Sequence, residues 1–215
     1  MRLIVVRHGA TQHNAEARFT GQSDAPLSAL GVTQAQAVAR RLRFVRLSTV
    51  VSSDLARATQ TAQEIIKDRP SLELRLDPDL REIALGAWEG LTYAEVQSRE
   101  PDALAAWRND PINGLPPGGE TALALQRRVI QAFARWRNTE SESALLWVTH
   151  GGVIAALLCH VLGLDLGRRW QFRRDNAAIT EFDVGAEYVI VTRVNDTAHL
   201  EGAPGGAPVE DRQTL

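Results

Sequence analysis

The chain has 215 residues, 44% hydrophobic and 23% charged, the proportions of an ordinary globular protein long enough to bury a full core. Its 24 Lys and Arg stand against 26 Asp and Glu, and the formal net charge of −2 gives no support to nucleic acid or an anionic membrane as partner. A single cysteine, Cys159, inside an apolar helical pattern excludes a disulfide framework and a thiolate metal site. The N-terminal apolar run is too short for a signal peptide and no stretch is long enough to span a bilayer, so the expected location is cytoplasmic. Lys67 is the single lysine. Genome composition explains that bias most simply, although arginine also grips planar oxyanions better, through two parallel hydrogen bonds.

In chain order, Arg2-Leu3-Ile4-Val5-Val6 reads as a buried strand running into Arg7-His8-Gly9. Gly31 to Leu42 places Val32, Ala35, Val38, Ala39 and Leu42 on one helical face. Thr49-Val50-Val51 is a short strand, followed by Ser53-Asp54 as the N-cap of a helix reaching about Lys67. Leu72 to Leu76 alternates apolar and charged residues, as a half-exposed strand does. From Leu80 to Glu120 regularity fades, apart from a short helix over Tyr93 to Arg99. A helix from Thr121 buries Ala122, Leu125, Val129, Ala132 and Trp136. Ala144 to Val148 is a buried strand ending in Thr149-His150-Gly151-Gly152, with a helix over Val153 to Leu162 after it. Ala178 to Asp183 and Tyr188 to Val194 read as a hairpin turning at Gly185. Beyond Asn195 periodicity stops, and disorder is expected there.

Strands alternating with helices predict an α/β fold, a three-layer αβα sandwich on a mostly parallel sheet with one antiparallel strand near the edge. The expected organisation is a single catalytic domain over 1–197, with an irregular substrate loop over about 83–120 and a disordered tail over 198–215.

Ligands of open α/β sheets bind beyond the carboxyl ends of the strands. Arg7-His8-Gly9 and His150-Gly151-Gly152 both follow buried strands, so both histidines are expected at one sheet edge. Arg57 joins them from the first turn of the next helix, where free backbone N–H groups and the helix dipole also favour an anion. Two arginines, two histidines and a helix N-terminus around one point describe a phosphate site. No His-x-x-x-His or acidic cluster points to a metal, and no Gly-x-x-x-x-Gly-Lys loop to nucleotide phosphates. His13 is expected on the surface rather than at the pocket edge, His160 at a helix end and His199 in the tail.

The chain resembles the histidine phosphatase superfamily, the phosphoglycerate-mutase-like proteins. The resemblance rests on Arg7-His8-Gly9-Ala10-Thr11, Asn14, Arg18-Phe19-Thr20-Gly21-Gln22-Ser23-Asp24-Ala25-Pro26-Leu27-Ser28 and Gly31. It continues through Ser52-Ser53-Asp54-Leu55-Ala56-Arg57-Ala58, Gln60-Thr61-Ala62, Arg81-Glu82-Ile83, Gly86, Trp88-Glu89-Gly90 and Thr149-His150-Gly151-Gly152. The resemblance implies that neutral His8 is the nucleophile and forms a phosphohistidine. Arg7, Arg57 and a protonated His150 would hold the phosphoryl oxygens, with Asn14, Thr20, Gly21, Gln22 and Gly151 as further binding positions. Glu82 matches the family's proton donor, and its setting beside Ile83 and Trp88 is expected to raise its pKa. The implied ligand is a small phosphorylated metabolite, with no cofactor and no metal, and a homodimer is possible by family analogy.

Within such a family the segment between acid and second histidine separates hydrolases from mutases, which carry a longer insertion with Lys and paired Arg. Here that segment is lysine-free and ends in Leu115-Pro116-Pro117-Gly118-Gly119-Glu120-Thr121. Phe19-Thr20-Gly21 points the other way. The expectation is a phosphomonoesterase, with a 2,3-bisphosphoglycerate-dependent phosphoglycerate mutase as the alternative. A non-catalytic phospho-ligand binder is a weaker one, since His8 and Glu82 are both present.

Overall fold

The structure is a computed structural model and describes residues 1–137 and 142–201. One six-stranded sheet runs through it in the order β3-β2-β4-β1-β5-β6. Its strands are β1 (Arg2–Arg7), β2 (Leu47–Ser52), β3 (Leu74–Leu76), β4 (Ala144–Thr149), β5 (Ile179–Val184) and β6 (Val189–Asp196). β1, β4, β2 and β3 pair in parallel, while β5 pairs antiparallel with both β1 and β6. The single strand against the grain is thus β5, next to the edge, as the sequence pattern predicts. Gly185 N–H donates to the Tyr188 carbonyl at 2.9 Å and closes the β5–β6 hairpin where it was expected.

Alternate side chains of the central strands feed two cores. Leu3, Val5, Val51, Leu145 and Trp147 pack against α6 (Ala122–Trp136) and α7 (Gly151–Val161). Ile4, Val6, Val50, Leu146 and Val148 pack against α2 (Ala29–Leu42) and α3 (Ala56–Ile66). These are the three layers. The interiors of β1 (Leu3 to Val6) and β4 (Ala144 to Val148) are wholly apolar because both of their faces are covered.

The irregular region supplies its own small core, in which Trp88 and Trp107 meet edge to face at 5.6 Å beside Val96 and Leu104. It holds α4 (Tyr93–Arg99) and a helix the periodicity did not show, α5 (Pro101–Asn109), which starts on Pro101. A four-residue helix, α1 (Gln12–Ala15), follows the first strand.

Three local expectations fail, each through a tertiary partner. Ser53 and Asp54 do not cap α3; Leu55 occupies that position without a side-chain bond. Asp54 pairs with Arg81 instead, and Ser53 turns to His150. The Leu72–Leu76 strand shrinks to three residues, since Leu72 N–H is held in a turn by the Arg69 carbonyl. The tail is ordered further than expected, because β6 runs to Asp196 and a 3₁₀ turn follows over Ala198–Leu200. His199 Nε2 there donates to the Ala177 carbonyl at 3.0 Å. The rest of the expected tail, 202–215, lies outside the described residues.

The loop after β1 is fixed by a close backbone approach to α2. A Cβ on Gly31 would stand 2.0 Å from the Ala10 carbonyl oxygen, and one on Gly9 would stand 2.4 Å from that of Gly31. Gly31→Ala is therefore expected to destabilise the fold by about 1–3 kcal/mol, seen as a lower urea midpoint with an unchanged slope.

Candidate active site

β1 and β4 lie side by side in a register that matches Arg7 with Thr149. The next residue of each is a histidine, and His8 N–H donates to the Thr149 carbonyl at 2.9 Å. The two imidazoles stand 5.0 Å apart between ring centres, both buried.

His8 Nδ1 lies 2.7 Å from the Gly9 carbonyl oxygen, an acceptor only, so Nδ1 carries the proton. That leaves the Nε2 lone pair outward, where Arg57 Nε donates to it at 3.3 Å. Arg57 is fully buried, and its terminal nitrogens donate to the Gly21 and Ser23 carbonyls at 2.7 and 2.8 Å. Burial lowers its pKa to about 10, so it stays cationic at neutral pH. Arg7 reaches the site through a bond to the Arg174 carbonyl. His150 Nε2 meets Ser53 Oγ at 2.8 Å, while its buried Nδ1 has no hydrogen-bond partner among the described residues.

Burial, joined by the charges of Arg57 and Arg7, pushes both histidines well below the usual imidazole range. The expected protonated His150 is thus corrected: the protein alone favours a neutral ring. A phosphate dianion beside it would act in the opposite sense.

Glu82 faces this group across the cavity. Its carboxylate accepts the Ile83 N–H at 2.9 Å and the Gly152 N–H, at the start of α7, at 3.1 Å. A Cβ on Gly152 would fall 2.2 Å from Glu82 Oε1, so only glycine admits the carboxylate there. The Trp88 indole, expected beside Glu82, donates instead to Glu100. Arg128 of α6 holds the Glu82 loop, donating to the carbonyls of Asp79, Arg81 and Glu82 while paired with Glu120.

A cavity of about 440 Å³ joins Arg7, His8, Arg57 and Glu82. Asn14, Thr20, Gly21 and Gly151 also line it, and so does His13. The Asn14 carbonyl oxygen accepts from Thr11 and Asn176, which leaves its amide N–H groups for a ligand. Gln22 belongs to a different layer. Its backbone N–H goes to Glu89 and its side chain to the Glu82 carbonyl. At the α3 N-terminus, Asp24 Oδ1 already accepts the Ala56 N–H at 2.6 Å.

The sequence reading missed Ser53, Arg128 and Asn176 as supports, and Arg169, Trp170 and Arg174 as cavity lining. The last three lie in Arg168-Arg169-Trp170-Gln171-Phe172-Arg173-Arg174, a basic and aromatic run that was the available signal. Among the described residues, no group of His, Cys, Asp and Glu is placed to hold a metal, and no helix is long and apolar enough to cross a membrane.

Because the neutral form of each site histidine is favoured only in the folded protein, stability should be full above pH 6.5. It should fall as pH drops below that value, until the folded pKa is reached, by up to about 1.4 kcal/mol per pH unit for each histidine. His199 shifts in the same direction. Urea midpoints in phosphate-free buffer between pH 7 and 5.5 test this, with His8→Ala giving a shallower decline than the wild type.

Comparison with known proteins places this geometry in a context. The profile described as "Histidine phosphatase superfamily (branch 1)" matches residues 3–197. The chain is 31% identical over 198 residues to the adenosylcobalamin/alpha-ribazole phosphatase of Escherichia coli K12, covering 92% of this chain and 97% of that one. It is 35% identical over 209 residues to the "Probable phosphoglycerate mutase GpmB" of Proteus mirabilis, with 93% and 95% covered. The solved structure of a mycobacterial glucosyl-3-phosphoglycerate phosphatase in complex with VO3 superposes with a TM-score of 0.81 at 36% identity, covering 91% of this chain and 99% of that one.

Proposed function

Because this chain belongs to the histidine phosphatase superfamily (branch 1), we propose that it hydrolyses small phosphomonoesters through a phosphohistidine on His8. The observation that carries this reading is the His8 tautomer. The Gly9 carbonyl ties down Nδ1–H and leaves the Nε2 lone pair facing Arg57 in the cavity, so that the nucleophile is the neutral imidazole.

In the proposed reaction, Nε2 attacks phosphorus and the bond to the ester oxygen breaks. The Glu82 carboxyl delivers the proton that the departing alkoxide needs. Arg7, Arg57 and His150 Nδ1 donate to the non-bridging oxygens, whose charge spreads in the transition state. The carboxylate left on Glu82 then takes a proton from water. That water attacks the phosphohistidine, releases inorganic phosphate and restores both groups. Asn14, Thr20, Gly21 and Gly151 serve as substrate contacts. Gln22 acts from behind, by holding the Glu82 backbone.

The resemblance to a mutase supports a second reading, in which a substrate hydroxyl replaces water. Hydrolysis is favoured by the lysine-free segment between Glu82 and His150. Purified protein given phosphoglycerates should release inorganic phosphate faster than it transfers phosphate among them. The opposite ranking supports the mutase.

His8→Ala should abolish turnover without unfolding the protein, together with acid-labile, alkali-stable labelling by a phosphorylated substrate. Glu82→Gln should cost on the order of 10²–10⁴ in kcat/KM with alkyl phosphates but far less with an aryl phosphate, whose leaving group needs no proton. Equal losses on both substrates would remove Glu82 as the acid.

A further inference from the structure

The two nitrogens of His150 stand in unlike surroundings. Nε2 faces Ser53 Oγ at 2.8 Å, whereas Nδ1 is buried without a hydrogen-bond partner among the described residues. Burial favours the neutral ring, and the charges of Arg57, His8 and Arg7 act in the same direction. A neutral imidazole has one N–H and one lone pair. It therefore donates from Nδ1 in only one of its two tautomers, and the partner of the other nitrogen selects between them.

Ser53 is that partner. It follows β2 and, like His150, is fully buried. Its backbone N–H donates at 3.0 Å to the carbonyl of Val148, two residues before His150 on the neighbouring strand, which ties the pair together. Oγ already accepts the Leu55 N–H at 3.3 Å. A serine hydroxyl has one proton to give, and among the described residues His150 Nε2 is the acceptor that meets it. Were the ring proton on Nε2, Oγ would accept twice and its own proton would be left unbonded in a dry site, at a cost. With the hydroxyl donating, Oγ and Nε2 are both satisfied. The donor left over is Nδ1–H, on a ring whose centre lies 5.0 Å from that of His8.

We propose that Ser53 is a positioning residue of the phosphoryl site: its hydroxyl donates to His150 Nε2, fixes the ring proton on Nδ1, and makes the neutral imidazole a donor to a phosphoryl oxygen. The two histidines then share one tautomer and use opposite nitrogens. His8 attacks with the Nε2 lone pair, and His150 holds with Nδ1–H. A neutral donor also spares the site a third positive charge beside Arg7 and Arg57. The inference rests on the proposed phosphatase reading in one respect, that the phosphoryl group lies beside both histidines.

The test reads the tautomer directly. Long-range proton–nitrogen correlation spectra in phosphate-free buffer at about pH 8, where imidazoles are neutral, separate Nδ1–H from Nε2–H for each histidine. Loss of signals in His150→Gln identifies those of His150. The wild type should show His150 as Nδ1–H. Ser53→Ala should release the ring to a mixture of tautomers and weaken the binding of inorganic phosphate about tenfold. It should lower kcat/KM by a similar factor for alkyl and aryl phosphates alike, unlike Glu82→Gln, whose loss depends on the leaving group. Nε2–H in the wild type overturns the proposal whether or not the variant folds. A Ser53→Ala protein that keeps the Nδ1–H tautomer, or binds phosphate as the wild type does, also overturns it, since any loss of activity is then merely structural. If the wild type releases phosphate from no ester, the phosphatase reading falls, and the spectra with calorimetry of inorganic phosphate decide the role of Ser53. Nδ1–H together with binding weakened in Ser53→Ala supports it, and unchanged or absent binding overturns it.

Discussion

The parallel pairing of β1 with β4 is the constraint on which the rest of the molecule depends. Matching Arg7 to Thr149 delivers His8 and His150 to the same depth at the carboxyl edge of the sheet. A slip of one residue would turn every side chain of β1 to the opposite core. The apolar pattern that builds the two cores therefore also sets the distance between the imidazoles.

Placing two imidazoles and two guanidiniums together in a dry site has a cost, and the fold offsets it in a particular way. Arg57 spends its hydrogen bonds on backbone carbonyls and on a lone pair, not on a carboxylate. The histidines meet the same pressure by remaining neutral. A ligand with two negative charges then finds in Arg57 a donor that no carboxylate among the described residues already pairs. Asp24 and Glu89 bring negative charge near Arg57 without being hydrogen-bonded to it, Asp24 on the α3 N-terminus and Glu89 on the Gln22 and Leu85 N–H groups.

The carboxyl side of the site depends on other forces. Glu82 lies in an irregular loop, and no regular element dictates its direction. Three remote pieces hold it: Gly152 at the start of α7, Arg128 of α6 with its partner Glu120, and the Gln22 amide. The cavity wall is similarly composite, with Trp107 from α5 meeting Trp170 from the segment after α7.

The sequence by itself determined the layers, the single reversed strand, the family resemblance and the placement of His8, His150, Arg7 and Arg57. The layers and the reversed strand follow from local periodicity, the resemblance from its motif residues. Arg7, His8 and His150 end buried parallel strands, which have one edge to go to, and Arg57 opens the helix after the next strand. What only the tertiary structure decided were matters in which distant groups compete for the same atom. Ser53 was legible as a helix cap until His150 took its hydroxyl, and the first N–H of α3 as free for an anion until Asp24 accepted it. The resemblance implied a protonated His150, whereas burial beside Arg57 lowers its pKa. Arg169 sat in plain view in a basic run, and a run of like charges gives no sign of which member is folded inward. Burial and hydrogen-bond competition are properties of the assembled molecule, and no window along the chain contains them.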